Sequence, residues 1–215
     1  MRAVILTGGT FEDLTWLAGM IREDDDLICA DSGAGYAAAL GLVPRLVIGD
    51  FDSLEESLLL SLQQKGAVIK RHPAAKDDTD TALALAEAMA GNPEEIVILG
   101  GTGSRFDHTL GNVHLLREAW ARGIPARLVT EYNEIRLVAP NQPAAVRGRP
   151  GQLFSLLPLT EEVRGVEVTG ARWPLKDAVF TIGRPYGISN ELVTEEARIS
   201  VSSGLLLLVK VFKDR

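Results

Sequence analysis

Six short apolar runs alternate with longer segments of mixed polarity over the first 130 residues. The runs are AVILTGG, LICAD, LVIGD, AVIK, IVILGG and ARLVT. Between them lie GYAAALGL, SLEESLLLSLQQKG, TDTALALAEAMAG and HTLGNVHLLREAWARG, which have the length and composition of helices. Strands that alternate with helices form parallel sheets with right-handed crossovers. The sequence therefore predicts an α/β domain with a doubly wound, mostly parallel sheet over residues 1–130.

Glycines and one polar motif mark the ends of these helices. Three helical segments stop at Gly66, Gly91 and Gly123, and glycine is the residue type that commonly ends a helix. Ser53 and Glu56 have the spacing of a capping box, in which two side chains satisfy free backbone N–H groups. This spacing predicts that Ser53 caps the helix that follows it.

The pattern changes after about residue 130. The segment PNQPAAVRGRPG is rich in proline and glycine, and short β-prone pieces follow it: QLFSLLPL, VRGVEVTG, AVFTIG, LVTEEARISVSSG and LLLLVKVF. Short strands separated by turn residues predict a small all-β sandwich or barrel over residues 131–215. The last piece is almost entirely apolar, which predicts a central strand that is buried on both faces.

Charge and cysteine content exclude several classes of protein. The net charge of -7 argues against a nucleic-acid partner, because binding a phosphate backbone requires clustered lysine and arginine. The one cysteine, Cys29, excludes an internal disulfide and a cysteine-based zinc site, and its apolar neighbours predict a buried structural thiol. The sequence shows neither a signal peptide nor an apolar stretch long enough to span a membrane. We therefore expect a cytoplasmic protein with no membrane partner.

Aspartates gather in four short clusters, most of which follow a predicted strand. These aspartates are Asp31, Asp50, Asp52, Asp77, Asp78, Asp80 and Asp107. Carboxylates at the ends of parallel strands converge on one edge of the sheet, where their charges repel each other. A hard divalent cation compensates this repulsion, and Mg²⁺ bound through carboxylates usually holds substrate phosphates. The clusters predict a Mg²⁺-dependent enzyme that acts on a nucleotide.

The motif GDFDS carries the sharpest of these signals. On a tight turn, Asp50 and Asp52 can bind one cation. The alternative is a strand end followed by a helix cap, with Asp52 or Ser53 as the capping residue. Capping explains one of these residues and leaves Asp50 unexplained, so we favour the metal site.

The motif KDDTD precedes a predicted helix. The helix dipole stabilises acids at its N-terminus by about 0.3–1 kcal/mol each, so Asp77 and Asp78 have an ordinary structural explanation. Lys76 favours a phosphate-binding role over a purely structural one, because a lysine beside three acids at a junction between loop and helix suits a phosphate.

Two glycine-containing turns are candidates for binding phosphate. In GGTGSRFDH, Gly100 and Gly101 let the backbone approach a ligand, and Arg105 can contact a phosphate through two N–H groups. Asp107 in the same motif is equally well explained as a helix cap. The turn at Gly8 and Gly9 after the first strand is a weaker signal of the same kind.

Two other functions are compatible with parts of the sequence. GAGYAA, from Gly33, is a loose match to the dinucleotide fingerprint and supports a nicotinamide- or flavin-dependent oxidoreductase. That fingerprint requires one acid for the ribose, whereas this chain has a whole cluster. A non-catalytic nucleotide sensor with an interaction module is the third possibility, although binding ATP needs fewer metal ligands than activating it.

ADSGA, GDFDS, KDDTD and LGGTGSRFDH, in this order and spacing, resemble the bacterial thiamine pyrophosphokinase family, and TGARWPL and ISN fit as well. The resemblance covers essentially the whole chain. It implies an α/β nucleotide-binding catalytic domain and a thiamine-binding β-sandwich. It also implies a homodimer that transfers the pyrophosphoryl group of ATP to the thiamine hydroxyl, giving thiamine diphosphate and AMP.

The resemblance also implies roles for individual residues. Asp50, Asp52 and Asp80 become the Mg²⁺ ligands, and Asp31 lies near the reacting centre. Asp31 and Asp107 are the two candidates for accepting a proton from the thiamine hydroxyl. Asp77 and Asp107 are implied to be further acidic members of the site. The residues implied to bind ATP are Gly8, Gly9, Lys76, Asp77, Gly100, Gly101 and Arg105.

The thiamine side of the site is implied in the C-terminal domain. Trp173 is expected to stack on the pyrimidine ring, with Ser189 and Asn190 beside it. A tryptophan in a small β-domain is more often a packing residue, but a flat cationic ligand suits an aromatic face. In the family the site is shared between subunits, so Trp173 would serve the aspartates of the partner chain.

Overall fold

The computed structural model describes residues 1–75 and 77–212, and the chain divides into two compact units. The first unit is Met1–Glu131, and the second begins at Tyr132. No helix in the described ranges is both long and apolar enough to cross a membrane.

The first unit alternates strands and helices, as the sequence predicts. Its elements are β1 (Arg2–Leu6), α1 (Leu14–Met20), β2 (Asp26–Ala30), α2 (Gly33–Ala39), β3 (Leu46–Gly49), α3 (Glu56–Gln64), β4 (Val68–Arg71), α4 (Asp80–Ala90), β5 (Glu95–Leu99), α5 (Phe106–Ala121) and β6 (Ala126–Val129). The strands are parallel, in the order β6-β5-β1-β2-β3-β4. From β1 the chain adds β2, β3 and β4 on one side, and it then adds β5 and β6 on the other side of β1. Sheets of this kind bind ligands at this switch point between β1 and β5. The sequence missed α1, a short helix of 7 residues.

The core of this unit is built from the apolar runs of its central strands. Every residue of β1, β2 and β3 is buried, whereas β4 is largely exposed at the sheet edge. Cys29 lies in this core, where burial raises the pKa of its thiol and keeps it neutral. The prediction of a buried structural thiol is confirmed.

The start of α3 corrects the capping prediction. This helix begins at Glu56, and Glu55 is the residue that precedes it as N-cap. Ser53 lies before this position, and its hydroxyl donates to a different partner, Asp31. The prediction that Ser53 caps the helix is therefore wrong.

All regular elements in the described part of the second unit are strands. They are β7 (Asn133–Val138), β8 (Ala144–Arg147), β9 (Leu153–Pro158), β10 (Glu162–Thr169), β11 (Leu175–Thr181), β12 (Gly187–Glu191), β13 (Glu196–Ser200) and β14 (Leu206–Val211). Within this unit the strands pair antiparallel in the orders β12-β9-β14-β7 and β11-β10-β13-β8.

Apolar side chains from both sets of strands form the core of the second unit. Phe154 and Leu208 belong to the first set, and Val166 and Phe180 belong to the second. This arrangement is a β-sandwich, so the predicted fold class is confirmed. The last strand, β14, lies between β7 and β9 as predicted, but only its first three residues are fully buried.

Candidate active site

A cavity of about 410 Å³ lies at the carboxyl edge of the parallel sheet. Its walls come from the segments that follow β1, β2, β3 and β5, from the start of α4 and from one side of α5. Because the strands are parallel, their carboxyl ends meet at this edge, as the aspartate pattern predicts. The lining includes Asp31, Asp50, Asp78 and Asp80.

Three carboxylates form a compact cluster at this edge. One oxygen from each of Asp31, Asp50 and Asp52 lies within 4.8 Å of the others. The backbone is unusual at two positions, because Asp31 has a φ of 44° and Phe51 a φ of 64°. Non-glycine residues rarely adopt these left-handed conformations, which concentrate at functional sites. The Phe51 side chain between Asp50 and Asp52 in the sequence is buried, and the Arg71 guanidinium carbon lies 5.2 Å from the centre of its ring.

Gly49 allows the ends of β2 and β3 to come close together. A Cβ added at Gly49 would lie 3.1 Å from the Asp31 Cα, which is tighter than most real contacts. The Asp31 N–H donates to the Ile48 carbonyl at 2.9 Å and continues the strand pairing into the site. Neighbouring strands therefore bring Asp31 to the GDFDS turn.

Hydrogen bonds fix the orientation of this cluster. The Asp52 N–H donates to Asp50 Oδ1 at 3.2 Å, and the Ser53 hydroxyl donates to Asp31 Oδ2 at 3.0 Å. The other oxygen, Asp31 Oδ1, is buried and accepts no hydrogen bond from residues 1–75 or 77–212. A buried carboxylate oxygen without a hydrogen bond, on a residue of a three-carboxylate cluster, fits a site for a hard divalent cation.

The KDDTD segment leads into α4 at another wall of the cavity. Thr79 is the N-cap of this helix, and its hydroxyl accepts from the Ala82 N–H at 3.2 Å. Asp80 is the first helical residue and lines the cavity, but among the described residues it is not part of the three-carboxylate cluster. Lys76 lies outside the described residues, and Asp77 does not appear among the residues that line the cavity.

The two glycine turns pack against each other at the switch point of the sheet. A Cβ added at Gly9 would lie 2.1 Å from the Gly100 carbonyl oxygen and 2.3 Å from that of Thr102. The Thr7 hydroxyl donates to the Gly100 carbonyl. All four glycines of the predicted turns line the cavity: Gly8, Gly9, Gly100 and Gly101. Contact between the two turns depends on β1 and β5 being neighbours, which the sequence alone does not reveal.

Two further residues hold the loops of the cavity. Asn112 is buried on α5, and its side-chain amide donates to the Gly101 carbonyl at 2.9 Å. Glu131 is buried after β6, and its Oε1 accepts from the Glu12 and Asp13 N–H groups at 2.8 Å each. Neither residue is predicted from the sequence, because a lone asparagine or glutamate carries no local signal.

Arg105 and Asp107 form an ion pair with two hydrogen bonds at the start of α5. The Arg105 Nε lies 2.9 Å from Asp107 Oδ1, and its Nη2 lies 2.6 Å from Oδ2. This pairing holds the pKa of Asp107 well below its usual range. Both side chains are largely exposed, and Arg105, but not Asp107, is among the residues that line the cavity.

The residues predicted for thiamine gather around a second cavity, of about 420 Å³, in the second unit. Trp173, Ser189 and Asn190 line it, together with apolar and aromatic side chains that include Leu156 and Tyr186. Half of the Trp173 surface is exposed. The Arg172 guanidinium carbon lies over the Trp173 ring, 5.1 Å from its centre.

Asn190 holds the tryptophan in place. Its Oδ1 accepts from the Trp173 N–H at 3.2 Å, and its Nδ2 donates to the Trp173 carbonyl at 2.9 Å. The Asn190 side chain is buried, so both ends of its amide are used to fix the backbone at Trp173. Ser189 beside it has a φ of 58°.

Two family models match this chain. The model of the thiamin pyrophosphokinase catalytic domain matches residues 17–128. The model of the thiamin pyrophosphokinase vitamin B1 binding domain matches residues 141–206. The chain belongs to the thiamine pyrophosphokinase family. The resemblance in the sequence motifs is thereby confirmed.

Individual members of the thiamine pyrophosphokinase family agree with this assignment. The chain is 31% identical to thiamine pyrophosphokinase of Bacillus subtilis over 206 residues, which are 96% of each chain. A crystal structure of the enzyme from Bacillus subtilis superposes with a TM-score of 0.88 at 30% identity over 100% of both chains. One from Geobacillus thermodenitrificans superposes with a TM-score of 0.85 at 28% identity, covering 100% of this chain and 99% of the other.

Proposed function

We propose that this protein transfers the pyrophosphoryl group of ATP to the hydroxyl of thiamine, giving thiamine diphosphate and AMP. The observation that carries the proposal is the cluster of Asp31, Asp50 and Asp52 in a cavity walled by glycine turns. The cluster suits a phosphate-bound cation, and it lies in a chain of the thiamine pyrophosphokinase family.

The metal in this proposal is Mg²⁺, held by Asp31, Asp50 and Asp52. These side chains supply hard oxygen donors within reach of one ion, and a buried oxygen of Asp31 fits a cation. Bound there, Mg²⁺ would neutralise the charge of the ATP phosphates as AMP leaves. Asp80, which the resemblance assigns to the metal, lines the same cavity outside the three-carboxylate cluster, and its role as a ligand stays a prediction.

The phosphates of ATP are assigned to the glycine turns and to Arg105. Gly8, Gly9, Gly100 and Gly101 expose backbone close to the cavity, and Arg105 adds positive charge at its rim. Lys76 and Asp77 keep their predicted roles in ATP binding as proposals. The pairing of Asp107 with Arg105 lowers the proton affinity of its carboxylate, so Asp107 is the weaker candidate for proton acceptor. Asp31 stays the other candidate that the resemblance implies.

Thiamine is assigned to the cavity in the second unit. The half-exposed ring of Trp173 suits the flat, cationic ligand, and Ser189 lies beside it. Asn190 acts on the ligand through the tryptophan that it holds. We further propose a homodimer in which Trp173 of one subunit serves the aspartates of the other. A cytoplasmic location and the absence of a nucleic-acid partner stay predictions.

The dinucleotide alternative is not favoured, and its glycines have another explanation. A Cβ added at Gly33 would lie 2.0 Å from the Leu6 carbonyl oxygen, so this glycine permits α2 to pack closely on β1. A Cβ at Gly35 would meet no heavy atom within 4 Å. Close packing of α2 on β1 therefore accounts for Gly33 without a dinucleotide.

The deciding experiment is incubation of the purified protein with thiamine, ATP and Mg²⁺. We expect AMP and thiamine diphosphate in equal amounts. ADP together with thiamine monophosphate would contradict pyrophosphoryl transfer and indicate transfer of a single phosphoryl group. ATP binding without any product would support the nucleotide sensor instead.

A further inference from the structure

Ser53, the last residue of GDFDS, has no role in the α3 cap or in the proposed chemistry. It is exposed and lies 22 residues beyond Asp31 in the chain, yet its hydroxyl donates to Asp31 Oδ2 at 3.0 Å. Ser53 follows β3 and Asp31 follows β2, so the hydrogen bond joins the ends of two neighbouring strands.

The backbone at Asp31 is already fixed by the sheet. Its N–H is bonded to the Ile48 carbonyl, its φ is 44°, and Gly49 lies against its Cα. The backbone does not fix the χ2 torsion, which rotates the carboxylate about the Cβ–Cγ bond, because this torsion has a broad distribution. A hydrogen bond to one oxygen removes that freedom.

The second oxygen of Asp31 is left without a hydrogen bond, and one oxygen of this carboxylate lies within 4.8 Å of oxygens of Asp50 and Asp52. Ser53 occupies Oδ2, while Oδ1 is buried and receives no hydrogen bond from any residue that the structure describes. Groups that orient a metal ligand in this way typically change metal affinity by about 10- to 100-fold when they are removed.

We propose that Ser53 is a positioning residue, which turns the Asp31 carboxylate so that Oδ1 faces the divalent cation shared with Asp50 and Asp52. This inference rests on the metal site of the proposed function. It assigns the serine of GDFDS to the metal site and not to the helix.

The test is binding of Mn²⁺ to the full-length protein without nucleotide, with free Mn²⁺ measured by electron paramagnetic resonance. We expect Ser53→Ala to weaken binding by about 10-fold, and Ser53→Thr, which keeps the hydroxyl, to stay close to wild type. The matched control is Ser57→Ala, because the Ser57 hydroxyl is also exposed and donates to Glu55 Oε2 at 3.2 Å outside the cluster. That control should bind Mn²⁺ as wild type does.

Melting in EDTA separates positioning from folding. Ser53→Ala should have the Tm of wild type in EDTA, because the side chain is exposed and joins no core cluster. Unchanged Mn²⁺ affinity in Ser53→Ala, or no Mn²⁺ binding by wild type, would overturn the inference. Weakened Mn²⁺ binding without any thiamine diphosphate from wild type would keep the role of Ser53 and reject the proposed reaction instead.

Discussion

Carboxylates in the cavity and at the start of α5 have different charged surroundings. Asp31, Asp50 and Asp52 share one small volume, where their like charges repel each other and a bound divalent cation would offset that repulsion. Asp107 instead lies against Arg105, so its charge is compensated within the chain. The same residue type therefore suits metal binding at one place and an ion pair at the other.

Asp50→Asn should abolish turnover without unfolding the protein. The substitution removes one charged ligand, and we expect activity to fall by at least about 100-fold. Without metal, the Tm should equal or exceed that of wild type, because repulsion within the cluster is relieved. Mg²⁺ should raise the Tm of wild type and of the control Asp24→Asn, but not that of Asp50→Asn. Wild-type activity of Asp50→Asn at low Mg²⁺ would reject this ligand.

A buried ion pair between Arg2 and Asp25 makes stability depend on pH. The Asp25 side chain is 1% exposed, and Arg2 donates to it at 2.8 and 2.5 Å. Burial alone raises the pKa of Asp25, but hydrogen bonds from Arg2 and from the Arg22 N–H outweigh burial and lower it. The folded pKa therefore lies below the unfolded value of about 3.9. The pair stabilises the fold above this value, and its contribution is lost as the pH falls through the folded pKa.

Asp25→Asn should lower the free energy of unfolding at pH 7 by about 2–3 kcal/mol. The difference from wild type should shrink as the pH falls below the unfolded value of about 3.9, where the unfolded state takes up a proton, and through the lower folded pKa of Asp25. Urea unfolding at pH values from 7 to 3 measures this difference in the free energy of unfolding. The control is Asp24→Asn, because Asp24 is exposed. A difference that does not change with pH would show that the charge of Asp25 is not its cause.

At the scale of elements, the strand ends and the turns after them build the site. The turns after β1 and β5 meet because these strands are neighbours at the switch point. Gly9 lies where the two turns touch, with carbonyl oxygens on the other turn too close for any side chain. The shape of the proposed phosphate site therefore depends on this one contact.

Gly9→Ala should move the two turns apart. Because the added Cβ meets backbone atoms, the loop itself must shift, and we expect kcat/KM for ATP to fall by about 100-fold. The control is Gly19→Ala in α1, where an added Cβ meets no heavy atom within 4 Å. That variant should keep full activity and gain about 0.5–1 kcal/mol of stability. Equal kinetics in the two variants would contradict a phosphate site at these turns.

For the whole molecule, the proposed dimer predicts that two defective variants restore each other. Asp50→Asn damages the metal cluster, and Trp173→Ala should raise the KM for thiamine. If each site combines residues of two subunits, one site of a mixed dimer keeps both wild-type residues. An equal mixture, refolded together and assayed at limiting thiamine, should then reach about one quarter of wild-type activity.

The activity of the mixture is compared with the activities of Asp50→Asn and Trp173→Ala, each refolded alone. Activity no higher than the average of the two separate variants would contradict a site shared between subunits. A matched mixture of Trp173→Ala with wild type controls for the effect of refolding on the amount of active protein.

The sequence by itself determined the six strands and four of the five helices of the first unit, and the local pairing of Asp50 with Asp52. Apolar runs of strand length are buried wherever the sheet forms, and residues two apart on one turn stay close in any fold. The same reasoning failed for α1, which is short, and for β7, β8 and β12, which lack a continuous apolar run.

Only the tertiary structure decided which further groups join that pair. Asp31 reaches Asp52 because β2 lies beside β3 in a register that places Ala30 opposite Ile48. Ser53 has spacing that suits a helix cap, yet it donates to Asp31 across the two strand ends. These contacts join residues distant in sequence. They depend on strand order and register, which are set by packing of the whole sheet and not by any local pattern.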